Sequence, residues 1–227
     1  MRHFIVLAFL MFVACGQPPA QQAAAPVAGA PAISEVPGMT SENGPTIVML
    51  GDSLTAGYEL SERQALPAVV GRMLADRGVN AKVVNAGVSG DTTADGLNRY
   101  DWRVKGTGAD LLVVALGAND FLNSLPPEQA RKNLSAILDR AKADNIPAVL
   151  LGVAIPGRYL SPQDQAYAAI YPDLAEEYGV PYMKDFMAPA GGQSDLLIDG
   201  LHPTARGVEA VAVSVTEFLA PIVSALD

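Results

Sequence analysis

From residue 46 onward, short β-rich apolar runs alternate with longer amphipathic segments. This alternation predicts βαβ units around a mostly parallel sheet. Five strands are expected, at Thr46–Leu50, Ala81–Asn85, Leu111–Leu116, Ala148–Val153 and Pro181–Lys184. Helices are expected over Ala65–Arg77, Thr92–Trp102, Pro127–Ala143, Ser161–Tyr178 and Pro203–Leu219. Pro127 followed by Glu128 suits a helix start, because proline needs no partner in the first turn and an acid there meets the positive end of the helix dipole. Gly78 and Gly179 read as helix stops. No internal repeat or second linker divides this region, so the expected fold class is α/β, a flavodoxin-like three-layer sandwich whose central five-stranded sheet is mostly parallel. Ligands then belong at the carboxyl ends of the strands.

The first 43 residues follow a different pattern. Met1-Arg2-His3 is a short basic start, Phe4–Val13 an apolar run of signal-peptide length, and small residues follow at Ala14, Cys15 and Gly16. Ten apolar residues are too few to cross a bilayer permanently. Phe12-Val13-Ala14-Cys15-Gly16 resembles a bacterial lipobox, which implies cleavage after residue 14 and lipid on Cys15. The alternative is an ordinary secretory signal cut later, near Ala23-Ala24-Ala25. Residues 15–43, rich in Pro, Ala, Gln and Gly, read as a flexible tether, and 44–227 as the folded domain. The expected location is exported, in the cell envelope or periplasm, with membrane attachment through Cys15.

Composition narrows the function classes. Half of the 227 residues are hydrophobic, enough for one well-buried domain, and the net charge of −9 argues against a nucleic-acid partner. A single cysteine excludes an internal disulfide framework. With one imidazole beyond the first three residues and Cys15 expected to carry lipid, a metal would need all-oxygen ligands, and no metal site is expected. No cofactor is expected.

The candidate chemistry lies in loops at one edge of the expected sheet. Gly51-Asp52-Ser53-Leu54 puts a serine where the first strand turns into a helix. Serine is a poor nucleophile alone and needs a base within hydrogen-bond reach, itself oriented by a third group. His202, in Asp199-Gly200-Leu201-His202-Pro203, is the available base, and Asp199 is close enough in sequence to turn back toward the ring. Attack on an ester carbonyl also builds an oxyanion that needs preorganised donors. The Asn119 side chain and the backbone N–H of Gly90 are candidates for that role.

These residues identify a resemblance to the GDSL, or SGNH, hydrolases, closest to their small bacterial thioesterase, lysophospholipase and arylesterase branch. The four letters of the second name fall on Ser53, Gly90, Asn119 and His202, in the family's order, and Asp199 matches its Asp-x-x-His signature. The similarity spans roughly residues 46–220. It implies Ser53 as nucleophile, His202 as base and then acid, Asp199 as orienter, and an oxyanion hole from the Ser53 and Gly90 N–H groups and the Asn119 amide. The implied activity is hydrolysis of carboxylic ester or thioester bonds in small molecules through an acyl-enzyme.

Other residues compete for these roles. Ser89 is a rival nucleophile and Asp195 a rival orienter; Asp52 is expected to stabilise its turn, and Asp91 and Asp120 to cap helices or loops. Phe121, Leu122 and Tyr159 are the expected substrate contacts, with Leu125, Ile155 and Leu160 as further apolar candidates. Arg158 is a candidate contact for an anionic head group. Two alternatives remain: a carbohydrate O-acetylesterase using the same machinery, and a non-catalytic envelope binding module.

Overall fold

In the computed structural model, five parallel strands form one sheet in the order β2-β1-β3-β4-β5, with β1 at Thr46–Gly51, β2 at Lys82–Gly87, β3 at Leu111–Ala115, β4 at Ala148–Leu151 and β5 at Tyr182–Met183. This is the flavodoxin-like winding expected from the alternation. The helices are α1 (Ser53–Ala56), α2 (Leu66–Asp76), α3 (Thr93–Asn98), α4 (Tyr100–Arg103), α5 (Ala118–Leu122), α6 (Pro127–Ala143), α7 (Pro162–Tyr178) and α8 (Ala205–Val223). The structure describes residues 44–155 and 161–226. The signal segment, Cys15, the tether before residue 44, Arg158, Tyr159 and Leu160 all lie outside the described residues.

Two cores explain why the strands are almost wholly apolar: a parallel sheet covered by helices buries both faces. Ile47, Met49, Leu111, Val113, Val149 and Leu151 face α2 and α8, whose Leu66, Val70, Leu74, Val211 and Val215 complete that layer. Val48, Leu50, Leu112, Val114 and Leu150 face the other way, onto Leu134 and Ile137 of α6 and Ile170 and Leu174 of α7. Helix α6 begins at the expected Pro127 with Glu128 in its first turn and has Arg140 and Lys142 in its last, so both ends complement the dipole.

Several boundaries moved, for identifiable reasons. The helix expected over Thr92–Trp102 is broken at Arg99 (φ −100°, ψ 6°), whose side chain turns inward to the strand exits. Strand β4 ends at Leu151 because its edge neighbour β5 offers only two residues to pair with. Helix α8 runs past Leu219 to Val223, whose side chain is buried in the first core.

The register matters most for function. Gly51 pairs with both Gly87 and Ala115, which places the exits of β1, β2 and β3 side by side. Gly87 is needed for close approach: a Cβ there would lie 2.3 Å from the Ala56 backbone nitrogen, so only glycine lets α1 pack on the end of β2.

Candidate functional site

At the β1 exit, Asp52 caps α1 by accepting a hydrogen bond from the Leu54 N–H at 3.0 Å, and Ser53 is the first residue of the helix. A four-residue helix formed there presents the serine hydroxyl at the sheet edge. His202 reaches it from the far end of the chain, 149 residues away: Nε2 lies 2.9 Å from Ser53 Oγ. The other ring nitrogen, Nδ1, lies 2.7 Å from Asp199 Oδ2. An ionised carboxylate can only accept, so Nδ1 carries the proton and Nε2 presents its lone pair to the serine hydroxyl.

The loop that carries this pair is tied at both ends. Asp199 Oδ1 accepts from the backbone N–H groups of Leu201 (3.0 Å) and His202 (2.8 Å), Ile198 N–H donates to the His202 carbonyl, and Thr204 caps α8. The His202 backbone N–H above all, then its side chain and the Leu201 N–H, hold the Asp199 carboxyl well below the usual carboxylate range. Tyr58 lies against the imidazole, with ring centroids 4.3 Å apart and planes inclined at 33°. No sequence pattern marked Tyr58.

Gly90 and Asn119 stand on the neighbouring exits. Gly90 adopts φ +87°, which favours glycine, in the exposed turn after β2. Asn119 lies in α5, just after β3, and its Nδ2 donates to the Asp91 carbonyl at 2.9 Å. This bond engages one amide hydrogen and fixes the side chain's rotamer; the second hydrogen is left for another acceptor. Helix α5 is itself latched: buried Asp120 accepts from the Thr93 N–H (2.8 Å) and hydroxyl (2.6 Å), and Asn133 donates to that hydroxyl.

Two expected caps are therefore corrected. Asp120 ties α5 to the start of α3 across the structure instead of capping its own loop. Asp91 forms an ion pair with Arg99 at 2.5 Å, while α3 is capped by Thr92 with Asp95. Burial pushes the Asp91 carboxyl up, against the pull of Arg99. Of the rivals, Ser89 is exposed and His202 bonds Ser53, not Ser89. Asp195 faces Arg206 at 3.6 Å, whereas Asp199 holds the imidazole.

Asp52 is only 1% exposed, and burial above all pushes its carboxyl up to about 6 from 3.8. A folded-state value above the unfolded one means that the folded protein binds the extra proton between them, so stability falls as pH rises through that window. The size of the effect is on the order of 3 kcal/mol. Asp52→Asn keeps an oxygen for the Leu54 N–H and does not ionise. Its stability in urea denaturation is expected to gain on wild type between pH 4 and pH 7; a pH-independent difference would contradict the buried carboxyl's role.

Beside this constellation lies a cavity of about 310 Å³ whose lining is overwhelmingly apolar. It includes Leu54, Ala118 and Leu201, the sequence neighbours of Ser53, Asn119 and His202, and extends to Ala130, Leu134 and Ile170 beneath α6 and α7. Of the expected contacts, Phe121, Leu122 and Ile155 line it, and Phe121 packs edge-on against Tyr167. Leu125 is not part of this lining; its carbonyl accepts from the Tyr167 hydroxyl at 2.6 Å. Met187, Gly191 and Leu197, from the segment between β5 and α8, close another side. Sequence reading missed that wall because no periodic pattern marks it.

The family described as GDSL-like Lipase/Acylhydrolase matches residues 49–210. The chain is 34% identical over 180 residues to Thioesterase 1/protease 1/lysophospholipase L1 of Escherichia coli (strain K12), covering 79% of this chain and 85% of that protein. It is 33% identical over 158 residues to the Arylesterase of Vibrio mimicus, covering 69% and 79%. Among solved structures it is similar to AlinE4, an SGNH-hydrolase family esterase, with 37% identity, a TM-score of 0.67, and coverage of 81% of this chain and 98% of that one.

Proposed function

The chain belongs to the GDSL-like lipase/acylhydrolase family and is a serine ester hydrolase, and we propose that Ser53, His202 and Asp199 carry its reaction on esters or thioesters of extended acyl chains. The observation that carries this reading is the unbroken hydrogen-bonded line from Ser53 Oγ through both imidazole nitrogens to the Asp199 carboxylate.

In the proposed mechanism, His202 Nε2 takes the hydroxyl proton as Ser53 Oγ attacks the acyl carbonyl. The resulting oxyanion is met by the N–H groups of Ser53 and Gly90 and by the free hydrogen of the Asn119 amide. Collapse breaks the bond to the leaving alcohol or thiol, which departs with the proton from His202. Water then attacks the acyl-Ser53 ester with His202 again as base, and the acid is released. Asp199 holds the ring in the required tautomer and stabilises the imidazolium formed in each half.

The apolar cavity supports an acyl chain as the occupant, in line with the thioesterase, lysophospholipase and arylesterase names of the relatives. Each methylene buried contributes about 0.8 kcal/mol, so kcat/KM for p-nitrophenyl esters is expected to rise from acetyl to octanoyl by up to about fourfold per added carbon. Ala130 is fully buried at the cavity wall. Ala130→Leu is expected to reduce the octanoyl-to-acetyl preference by about tenfold or more. Activity confined to acetyl esters in the wild type would instead favour a carbohydrate O-acetylesterase.

A further inference from the structure

Arg99 has no place in the reaction described above, yet it is 6% exposed and its guanidinium bonds the segments that lead into or follow the proposed oxyanion donors. Nη2 donates to the Gly51 carbonyl at 2.7 Å, two residues before Ser53. Nη1 donates to the Ala86 carbonyl at 2.5 Å, at the end of β2 just before the Gly90 turn. Nε donates to Asp91 Oδ2 at 2.5 Å, and Asp91 directly follows Gly90. The same residue's carbonyl accepts the Asn119 amide at 2.9 Å. One planar group thus joins the exits of β1 and β2 to the residue that orients Asn119.

We propose that Arg99 is the positioning residue of the oxyanion hole, holding the β1 and β2 exits and the Asp91 backbone so that the Ser53, Gly90 and Asn119 donors converge on one point. The proposal rests on the oxyanion-hole reading given above. Its physical basis is preorganisation: donors stabilise a developing charge only if they are already aimed at it, and a displacement well below 1 Å weakens them. Arginine suits the task because its rigid fork satisfies three acceptors at once and stays charged when buried, while the Asp91 carboxylate offsets the loss of hydration. Lysine, a point charge on a flexible stem, could keep the ion pair but not hold both strand-exit carbonyls in the same geometry. The break between α3 and α4 at Arg99 is where this inward turn occurs.

The test is a double-mutant cycle of Arg99→Lys and Asn119→Ala, with kcat measured per active site titrated by a fluorophosphonate and well below the melting temperature of each variant. Arg99→Lys is expected to lower kcat by about tenfold with KM within about threefold of wild type, because the interaction lost is made in the transition state. Asn119→Ala should lower kcat about 100-fold. The double variant should lose at least about threefold less than the product of the two single losses, since Arg99 acts partly through the amide that is gone. Should Arg99→Lys misfold, Asp91→Ala, at the rim of the same network, is expected to give a kcat-selective loss of about threefold to tenfold.

A lowered melting temperature with unchanged kcat per titrated site in Arg99→Lys, or unchanged kcat in a folded Asp91→Ala, overturns the proposal. Strictly multiplicative losses in the double variant do the same. Full kcat in Asn119→Ala would overturn the oxyanion-hole reading itself, and is distinguished from failure of the Arg99 proposal because it concerns the single Asn119 variant alone.

Discussion

Ser53→Ala is expected to lower kcat for a short p-nitrophenyl ester by about 10⁵-fold or more while leaving the fold intact. The size follows from the arrangement: without Oγ there is no nucleophile for His202 to activate, and the oxyanion donors alone supply only a residual acceleration. Stability should change little, because Ser53 is at the sheet edge and its hydroxyl is paired with His202, a partly exposed group that water can serve instead. Circular dichroism and thermal melting of the variant check the fold, and a fluorophosphonate should label the wild type and not the variant. Turnover within tenfold of wild type, or labelling that survives the substitution, would remove Ser53 from its proposed role. Failure of the wild type itself to react would favour a binding module that has kept the fold.

The second large effect is expected at Asp199, where Asp199→Asn should lower kcat by about 10³- to 10⁴-fold. The carboxylate accepts three hydrogen bonds, from the Leu201 N–H, the His202 N–H and His202 Nδ1. An asparagine oxygen can keep the two backbone bonds, but its NH₂ group then faces Nδ1. The ring is driven to the tautomer with the proton on Nε2, which cannot accept from Ser53. Asp195→Asn is the control, since that carboxylate lies in the same segment but faces exposed Arg206 at 3.6 Å. An exposed pair of that kind contributes little, and kcat should stay within about twofold of wild type. A large loss in Asp195→Asn, or a small one in Asp199→Asn, would reverse the assignment of the orienting acid.

Sequence and structure agree most closely where one element's residues decide the outcome. The five strands were legible because a sheet covered on both faces requires runs such as Ile47-Val48-Met49-Leu50 and Leu111-Leu112-Val113-Val114, with no polar alternation. Helix α6 was legible to the residue because Pro127 and Glu128 are local signals for its start. The break at Arg99 was not, because it depends on carbonyls at Ala86 and Gly51, 13 and 48 residues away. Asp91 and Asp120 were misjudged for the same reason: local spacing suggested caps, but their partners are Arg99 and Thr93.

By itself, the sequence determined the α/β alternation, the family and the set of candidate side chains, since these depend on periodicity and on short motifs that each segment carries alone. Only the tertiary structure decided which carboxylate meets His202, that Tyr58 packs on its ring, that Arg99 joins two strand exits, and that apolar walls from six parts of the chain enclose one cavity. The physical reason is range. Strand and helix preferences act over a few residues, whereas a hydrogen bond at 2.9 Å between positions 149 apart exists only once the whole sheet has set its register.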